Sequence, residues 1–214
     1  MEYKIIPAIL TDAIEDFESQ VSLIENVADA VQLDYVDGFF APELTCCEAR
    51  LIQEVEVIPE LEVHLMVQEP IDQVQAWYKA NADRLIGHIE EMSDQVEFVE
   101  AVSDLGLEVG LALNLETPLD DLETELVDGL DVVLLMGHKI GVQKEPFQKR
   151  TLDKIRQLRE LHPNINIEVD GGVNETNILD IKQAGANIFA VGSGIFGSGE
   201  PTEAFKKLIT LVSK

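Results

Sequence analysis

Residues 165–197 read INIEVDGGVNETNILDIKQAGANIFAVGSGIFG. Two short apolar runs, 165–169 and 188–191, are separated by a longer stretch, and glycines follow each run almost at once. Runs this short and nearly continuous in apolar character are expected of strands covered on both faces, as in a parallel sheet. Gly185, just ahead of the second run, stands where a helix C-terminal cap belongs. The stretch therefore reads as strand, crossover helix, strand. The same unit recurs back to the start of the chain, with further runs at 4–10, 30–35, 61–66, 84–89, 107–113 and 131–136. Between them the apolar residues take helical steps, as at Ile14, Phe17, Val21, Ile24 and Val27, or Leu152, Ile155, Leu158 and Leu161. Pro70 and Pro118 suit the first turn of a helix, Thr11 and Thr117 its cap, and Gly106 and Gly129 its end. Eight strand-then-helix units with right-handed crossovers predict an α/β fold, a single-domain (β/α)8 TIM barrel over residues 1–214. An open doubly wound sheet is the alternative. No G-x-G-x-x-G follows the first strand, so a dinucleotide fold lacks its fingerprint.

Composition fits one globular unit: 214 residues, 46% hydrophobic and 26% charged. The charge is more telling. Forty-one acidic against fifteen basic side chains give a net charge of −26. Such a surface repels phosphate backbones and anionic lipid, so neither nucleic acid nor membrane is an expected partner. A small anion is still admissible, because a pocket can present backbone N–H groups whatever the net charge. The two cysteines, Cys46 and Cys47, are adjacent, a poor geometry for a mutual disulfide, and a reducing cytoplasm is the expected compartment. The N-terminal apolar stretch is too short for a signal peptide and meets acid at Asp12 and Glu15. No run approaches the roughly 18 apolar residues that span a bilayer.

In a barrel of this kind the C-terminal ends of the strands face the active site. Those ends carry Gln32 and Asp34, His64, His88 and Glu90, Met136, and Asp170. A lone buried His or Asp is ordinarily a hydrogen-bonded structural residue. Asp34, His64 and Asp170 at the same end of three strands would converge, and two carboxylates with an imidazole suit a divalent metal. A second feature lies in the glycines of Asp170-Gly171-Gly172-Val173-Asn174 and Gly192-Ser193-Gly194-Ile195-Phe196. Either loop alone reads equally well as a tight turn. Together, after strands seven and eight, they point to a phosphate site.

At this point the segments KIIPAIL, QLDYVDGFFAPELT, LEVHLMV, LALNLETPLDDL, DVVLLM, IEVDGGVNETNI and AGANIFAVGSGIFG, in that order, cover nearly the whole chain. They resemble the ribulose-phosphate 3-epimerase family, whose members show Val-His-Leu-Met-Val and Val-Asp-Gly-Gly-Val at matching places. The resemblance implies a barrel of the ribulose-phosphate-binding type. It implies inversion at C3 of a ketose phosphate, D-ribulose 5-phosphate to D-xylulose 5-phosphate or similar, through an enediolate. Asp34 and Asp170 match the two acid/base aspartates. Asp34, His64 and Asp170, with Gln32 in fourth place, match the ligands of one divalent metal ion: Zn, Mn, Fe, Co or Mg. Gly171, Gly172, Gly192 and Ser193 match the phosphate-binding backbone, and His64, Met66 and Met136 match residues around the substrate. A small sugar phosphate as partner and a homo-oligomeric state are further implications.

The chain also departs from that pattern. Gln32 stands where the family has a histidine ligand, and a neutral amide oxygen shifts preference from zinc or iron toward manganese or magnesium. Ala8 replaces a serine, Val36 a methionine, Phe39 a histidine and Glu43 an asparagine. After strand six, residues 137–147 (GHKIGVQKEPF) replace a Gly-Phe-Gly-Gly lid. They bring in His138, Lys139 and Lys144, which are expected to form a solvated charged loop, with phosphate contact or a substitute imidazole from His138 as the other roles. Two readings follow: a metal-dependent epimerase with an altered ligand set, or a family member without catalysis that binds a phosphorylated ligand or a partner protein. Aldol cleavage is disfavoured, since no strand end carries a Schiff-base lysine. The persistence of Asp34 and Asp170 favours the enzyme.

Overall fold

A computed structural model of the protein describes residues 2–41, 45, 48–140 and 145–213. Glu43, Cys46, Cys47, Gly141 and Lys144, on which some of the expectations above fall, lie outside the described residues. All eight expected strands are present: β1 (Lys4–Ile9), β2 (Ala30–Val36), β3 (Glu60–Met66), β4 (Arg84–His88), β5 (Glu108–Leu113), β6 (Val132–Met136), β7 (Ile167–Asp170) and β8 (Ile188–Val191). They pair in parallel in chain order, and β8 closes on β1 to make a TIM barrel. The seventh strand runs on to Asp170, one residue past its last apolar side chain.

Helices α1 (Ile14–Ile24), α2 (Ala49–Ile52), α3 (Val74–Lys79), α4 (Gln95–Ser103), α5 (Thr151–Leu161), α6 (Ile178–Ala184), α7 (Ser193–Phe196) and α8 (Pro201–Val212) make the connections. One expected unit is different. The link from β5 to β6 has no α-helix, only 3-10 turns at Leu119–Asp121 and Val127–Gly129. Residues 114–131 carry seven carboxylates and no Lys or Arg, so a helix there would stack like charges with no cation to offset them. The capping expectations are met unevenly. Pro70 opens a 3-10 turn ahead of α3 and Gly185 ends α6. Thr11 accepts the Ala13 N–H at 3.2 Å from two residues ahead of the cap position, which Ala13 holds, and Thr117 caps no helix.

Strand side chains alternate between two apolar clusters. Outward residues such as Val63, Leu85 and Phe189 pack under the helices with Phe17, Trp77 and Phe98, while Ile6, Ile86, Val132, Leu134 and Ile188 fill the barrel. The bottom of the barrel is polar instead. Arg84 lies in register between Glu62 on β3 and Glu108 on β5, donating to Glu62 at 2.5 Å and to Glu108. Glu168 is fully buried nearby, and neither of its carboxyl oxygens has a hydrogen-bond partner. Burial, then the Glu62 charge, pushes Glu168 well above the usual carboxylate range, which favours its neutral form. Arg84 is the cation that makes this cluster tolerable. Replacing it as Arg84→Met leaves buried carboxyls uncompensated and is expected to cost about 3–5 kcal/mol in urea unfolding. Adding Glu62→Met should recover most of that loss, and a single variant as stable as wild type would contradict the account.

Candidate active site

Above that polar layer, β2, β3 and β7 deliver their inward residues to one point. Asp34 lies opposite His64 in the β2–β3 register, and Asp170 ends β7 beside Met136 of β6. Gln32 Nε2 donates to Asp34 Oδ1 at 2.6 Å and to Asp170 Oδ2 at 3.1 Å. His64 Nδ1 lies 3.2 Å and 3.1 Å from the same two oxygens. Each carboxylate is thus gripped by the same pair of nitrogens. Gln32 and His64 are wholly inaccessible, whereas Asp34 and Asp170 keep 8% and 9% exposure. That small difference decides which groups can meet a ligand: the carboxylates form the surface and the amide and imidazole lie beneath.

The electrostatics follow from crowding two carboxylates in a dry place. Burial, then the Asp170 charge, pushes Asp34 up to about 6, against the pull of His64 and Gln32. Burial acts on Asp170 too, but its hydrogen bond and ion pair with His64, with help from Gln32 and His138, hold it below the usual range. Burial alone would lower His64. Its bonds to Asp170 and Asp34 outweigh that and push it up to about 10. Without a metal the site therefore contains an imidazolium between two carboxylates.

A divalent cation fits these residues. The ligand atoms of Asp34, His64 and Asp170 lie within 4.8 Å of one another, and hard carboxylate oxygens with one imidazole are a common donor set. Gln32 supplies a further sign. Its Oε1 is buried with no partner. A half-turn of the amide exchanges its two ends and would turn the oxygen toward a cation held between the carboxylates.

The two aspartates open into a cavity of about 310 Å³. Its wall contains Ala8, Met66, Met136, Gly171, Gly172, Gly192 and Ser193 around the carboxylates, whereas His64, also expected beside the substrate, is wholly buried and does not line it. Gly172 has φ +70°, and a Cβ there would lie 2.5 Å from the backbone nitrogen of Phe147. The glycine is what lets the loop after β6 close over the loop after β7. The expectation of a solvated loop holds for Lys139, which is exposed, but is corrected for His138. That side chain is half-buried, lines the cavity and packs on Gly171, because Gly137 brings the two backbones too close for any side chain between them.

With this geometry established, comparison with known proteins settles the ancestry. Residues 4–196 match the ribulose-phosphate 3 epimerase family. The chain belongs to that family. Two of its relatives are a ribulose-phosphate 3-epimerase of Serratia marcescens, 35% identical over 92% of this chain and 96% of that one, and the cytoplasmic isoform from Oryza sativa subsp. japonica, 32% identical over 96% and 92%. Among solved structures, the 3-keto-L-gulonate-6-phosphate decarboxylase of Vibrio cholerae shares the fold with a TM-score of 0.76 at 15% identity, over 100% of this chain and 98% of that one.

Membership in the epimerase family leaves two residues to place. His88 and Glu90 were noted at the end of strand four but given no role. His88 Nε2 lies 2.9 Å from His64 Nε2, and its Nδ1 lies 3.0 Å from Glu90 Oε2. Strand-end position was their only signal in the sequence; their attachment to His64 needs the β3–β4 register. Burial holds His88 down to about 4, so its ring is neutral, while bonds to His88, Thr117 and Asn114 outweigh burial and hold Glu90 near 2.

The raised His64 has a measurable consequence. Folded metal-free protein keeps a proton that the unfolded chain releases above 6.5, so this contribution to stability is complete below pH 6.5 and lost as pH rises toward 10. Thermal melts of chelator-treated protein should fall across that window, and His64→Gln should flatten the slope. An unchanged slope would show that His64 is not the group responsible.

Proposed function

We propose that this chain inverts C3 of a ketose phosphate, interconverting D-ribulose 5-phosphate and D-xylulose 5-phosphate or close relatives of them. The observation that carries the reading is the meeting of Asp34, His64 and Asp170 at the floor of an open cavity. Nothing in the packing of the barrel calls for two carboxylates side by side there. The names of the relatives support the same activity.

C3 lies next to a ketone, so its proton is acidic enough for a carboxylate to remove if the resulting enediolate is stabilised. Inversion needs one group on each face of that carbon. Asp34 enters from β2 and Asp170 from β7, two strands that are not neighbours, so a substrate carbon between them has a carboxylate on either side. One takes the proton while the other, protonated, returns one to the opposite face. A divalent ion held by Asp34, His64, Asp170 and the Gln32 oxygen supplies, when bound, positive charge beside the C2 oxygen. With an amide replacing an imidazole, manganese or magnesium suits this set better than zinc. Met66 and Met136 keep water from the reacting carbon. Gly171, Gly172, Gly192 and Ser193 let backbone approach the phosphate, which the −26 net charge would otherwise repel.

The same reading takes residues 1–214 as one catalytic domain, working in the cytoplasm as a homo-oligomer, with no nucleic-acid or membrane partner. No helix among the described residues is long and apolar enough to cross a membrane. A second reading has its own support: Gln32 and His64 already satisfy both carboxylates without an ion. In that case the protein binds a phosphorylated ligand without turning it over, its affinity survives chelation, and Gly192→Trp removes it.

Proton exchange decides between them. In heavy water with Mn²⁺ and D-ribulose 5-phosphate, wild-type protein is expected to place deuterium at C3. Asp34→Asn and Asp170→Asn should each slow this by about 10²–10⁴-fold with unchanged circular dichroism. Exchange that survives both substitutions would exclude the acid/base pair, and no exchange by wild type with any divalent ion would favour the binding protein.

A further inference from the structure

We propose that His138 is a substrate-binding residue whose imidazole Nε2 meets the phosphate of a ligand held by the loops after β7 and β8. This rests on the functional reading above for the place of the phosphate, and adds a side chain to the backbone that receives it.

The cavity wall is short of positive charge. Among the described residues its ionisable side chains are Asp34, Glu145, Asp170 and His138. Three of the four are acidic, in a chain of net charge −26. Backbone N–H groups can hydrogen-bond a phosphate, but they bring only partial charges against its full ones. His138 is the one basic side chain in that wall. The backbone on either side of it is pinned. Gly137 N–H donates to the Asp170 carbonyl at 2.5 Å, and the Gly137 carbonyl accepts the Gln148 N–H at 2.7 Å. The residue before His138 is thereby fixed to the end of β7 and to the chain leading into α5.

The ring itself is held at both edges. A Cβ on Gly171 would lie 3.0 Å from Cδ2 of His138 and 3.1 Å from its Cγ, so that edge rests on the first glycine after β7. On the opposite edge, Nδ1 lies 2.9 Å from the Lys139 carbonyl oxygen. A carbonyl can only accept, so Nδ1 carries a hydrogen whatever the charge of the ring. The nitrogen left for a ligand is Nε2, bonded to the Cδ2 that rests on Gly171. A phosphate oxygen takes a second N–H from Nε2, and the ring then bears the positive charge of a charge-assisted bond. A metal-binding role for this imidazole does not fit. The ligand atoms within 4.8 Å of one another are those of Asp34, His64 and Asp170, and His138 is not among them.

The test is calorimetric titration with inorganic phosphate, on chelated protein so that no ion can carry the anion. Wild type is expected to bind, and His138→Leu to bind about 10–100-fold more weakly, the loss of one hydrogen bond to a charged group. Lys139→Ala removes an exposed, salt-screened charge on the same loop and should change affinity by less than about twofold. In ¹⁵N-labelled wild type, saturating phosphate should shift the His138 Nε2 resonance and leave Nδ1 nearly in place. A wild type that does not bind phosphate overturns the proposal, as does His138→Leu binding as tightly as wild type. An equal loss in Lys139→Ala also overturns it, since the effect is then one of charge at a distance. If His138→Leu fails to fold, an Nε2 resonance that phosphate does not move overturns the proposal on wild type alone. Failure of the epimerase reading is distinguishable. Phosphate binding that depends on His138, with no deuterium exchange at C3, removes that reading and leaves this contact standing. Exchange at C3 with a KM unchanged in His138→Leu does the reverse.

Discussion

Two carboxylates brought together inside a barrel are the constraint around which this molecule is arranged. Asp34 and Asp170 share both of their inner partners, Gln32 Nε2 and His64 Nδ1. In a low-dielectric interior neither can stay ionised beside the other without positive charge close by. The protein answers with a raised imidazole in the absence of metal, and its geometry accepts a divalent ion in exchange. His64 Nδ1 faces both carboxylates, so an ion held there would take the place of the charge that the imidazole supplies without it.

The rest of the barrel follows a similar logic at a different level. Arg84 compensates Glu62 and Glu108 near the bottom, where no ligand reaches, and burial there favours the neutral form of Glu168. At the top, the charges are left to be satisfied by a small, exchangeable group. On β3 and β7 the two clusters occupy successive inward positions, Glu62 then His64 and Glu168 then Asp170, and the Asp170 charge adds to what raises Glu168. Ile6, Ile86, Val132 and Ile188 belong to the apolar filling of the rest of the barrel interior.

The strands were legible because buried parallel strands leave short, nearly continuous apolar runs of four to eight residues. Polar residues at the ends of those runs marked the site. Asp170 was identified by being the first polar side chain after the run 165–169, and the structure includes it in β7. The missing helix between β5 and β6 was less legible, since its leucines kept a helical look while seven carboxylates worked against it. His138 was misjudged for a different reason. Its neighbours Lys139 and Lys144 suggested solvent, but whether a loop residue turns inward depends on the backbone approach at Gly137 and Gly171, which no local pattern records. The contact of His88 with His64 was hidden likewise, because it arises only when β3 and β4 are in register.

Gln32 shows why the departures from the family matter less for whether a cation can bind than for how it is held. An imidazole ligand has one lone pair in the ring plane and competes with a proton for it. An amide oxygen is neutral at every pH, and its nitrogen end is a donor that suits the same carboxylates when no ion is present. With Gln32 in place, the metal-free state is stabilised by two hydrogen bonds that a histidine with one nitrogen facing the site could not supply. An ion taken up there would have to displace those bonds and turn the amide, and His64 would be the one imidazole left to hold it. The far nitrogen of that ring lies 2.9 Å from His88 Nε2, so the pairing of β4 with β3 bears directly on the single imidazole that touches both aspartates.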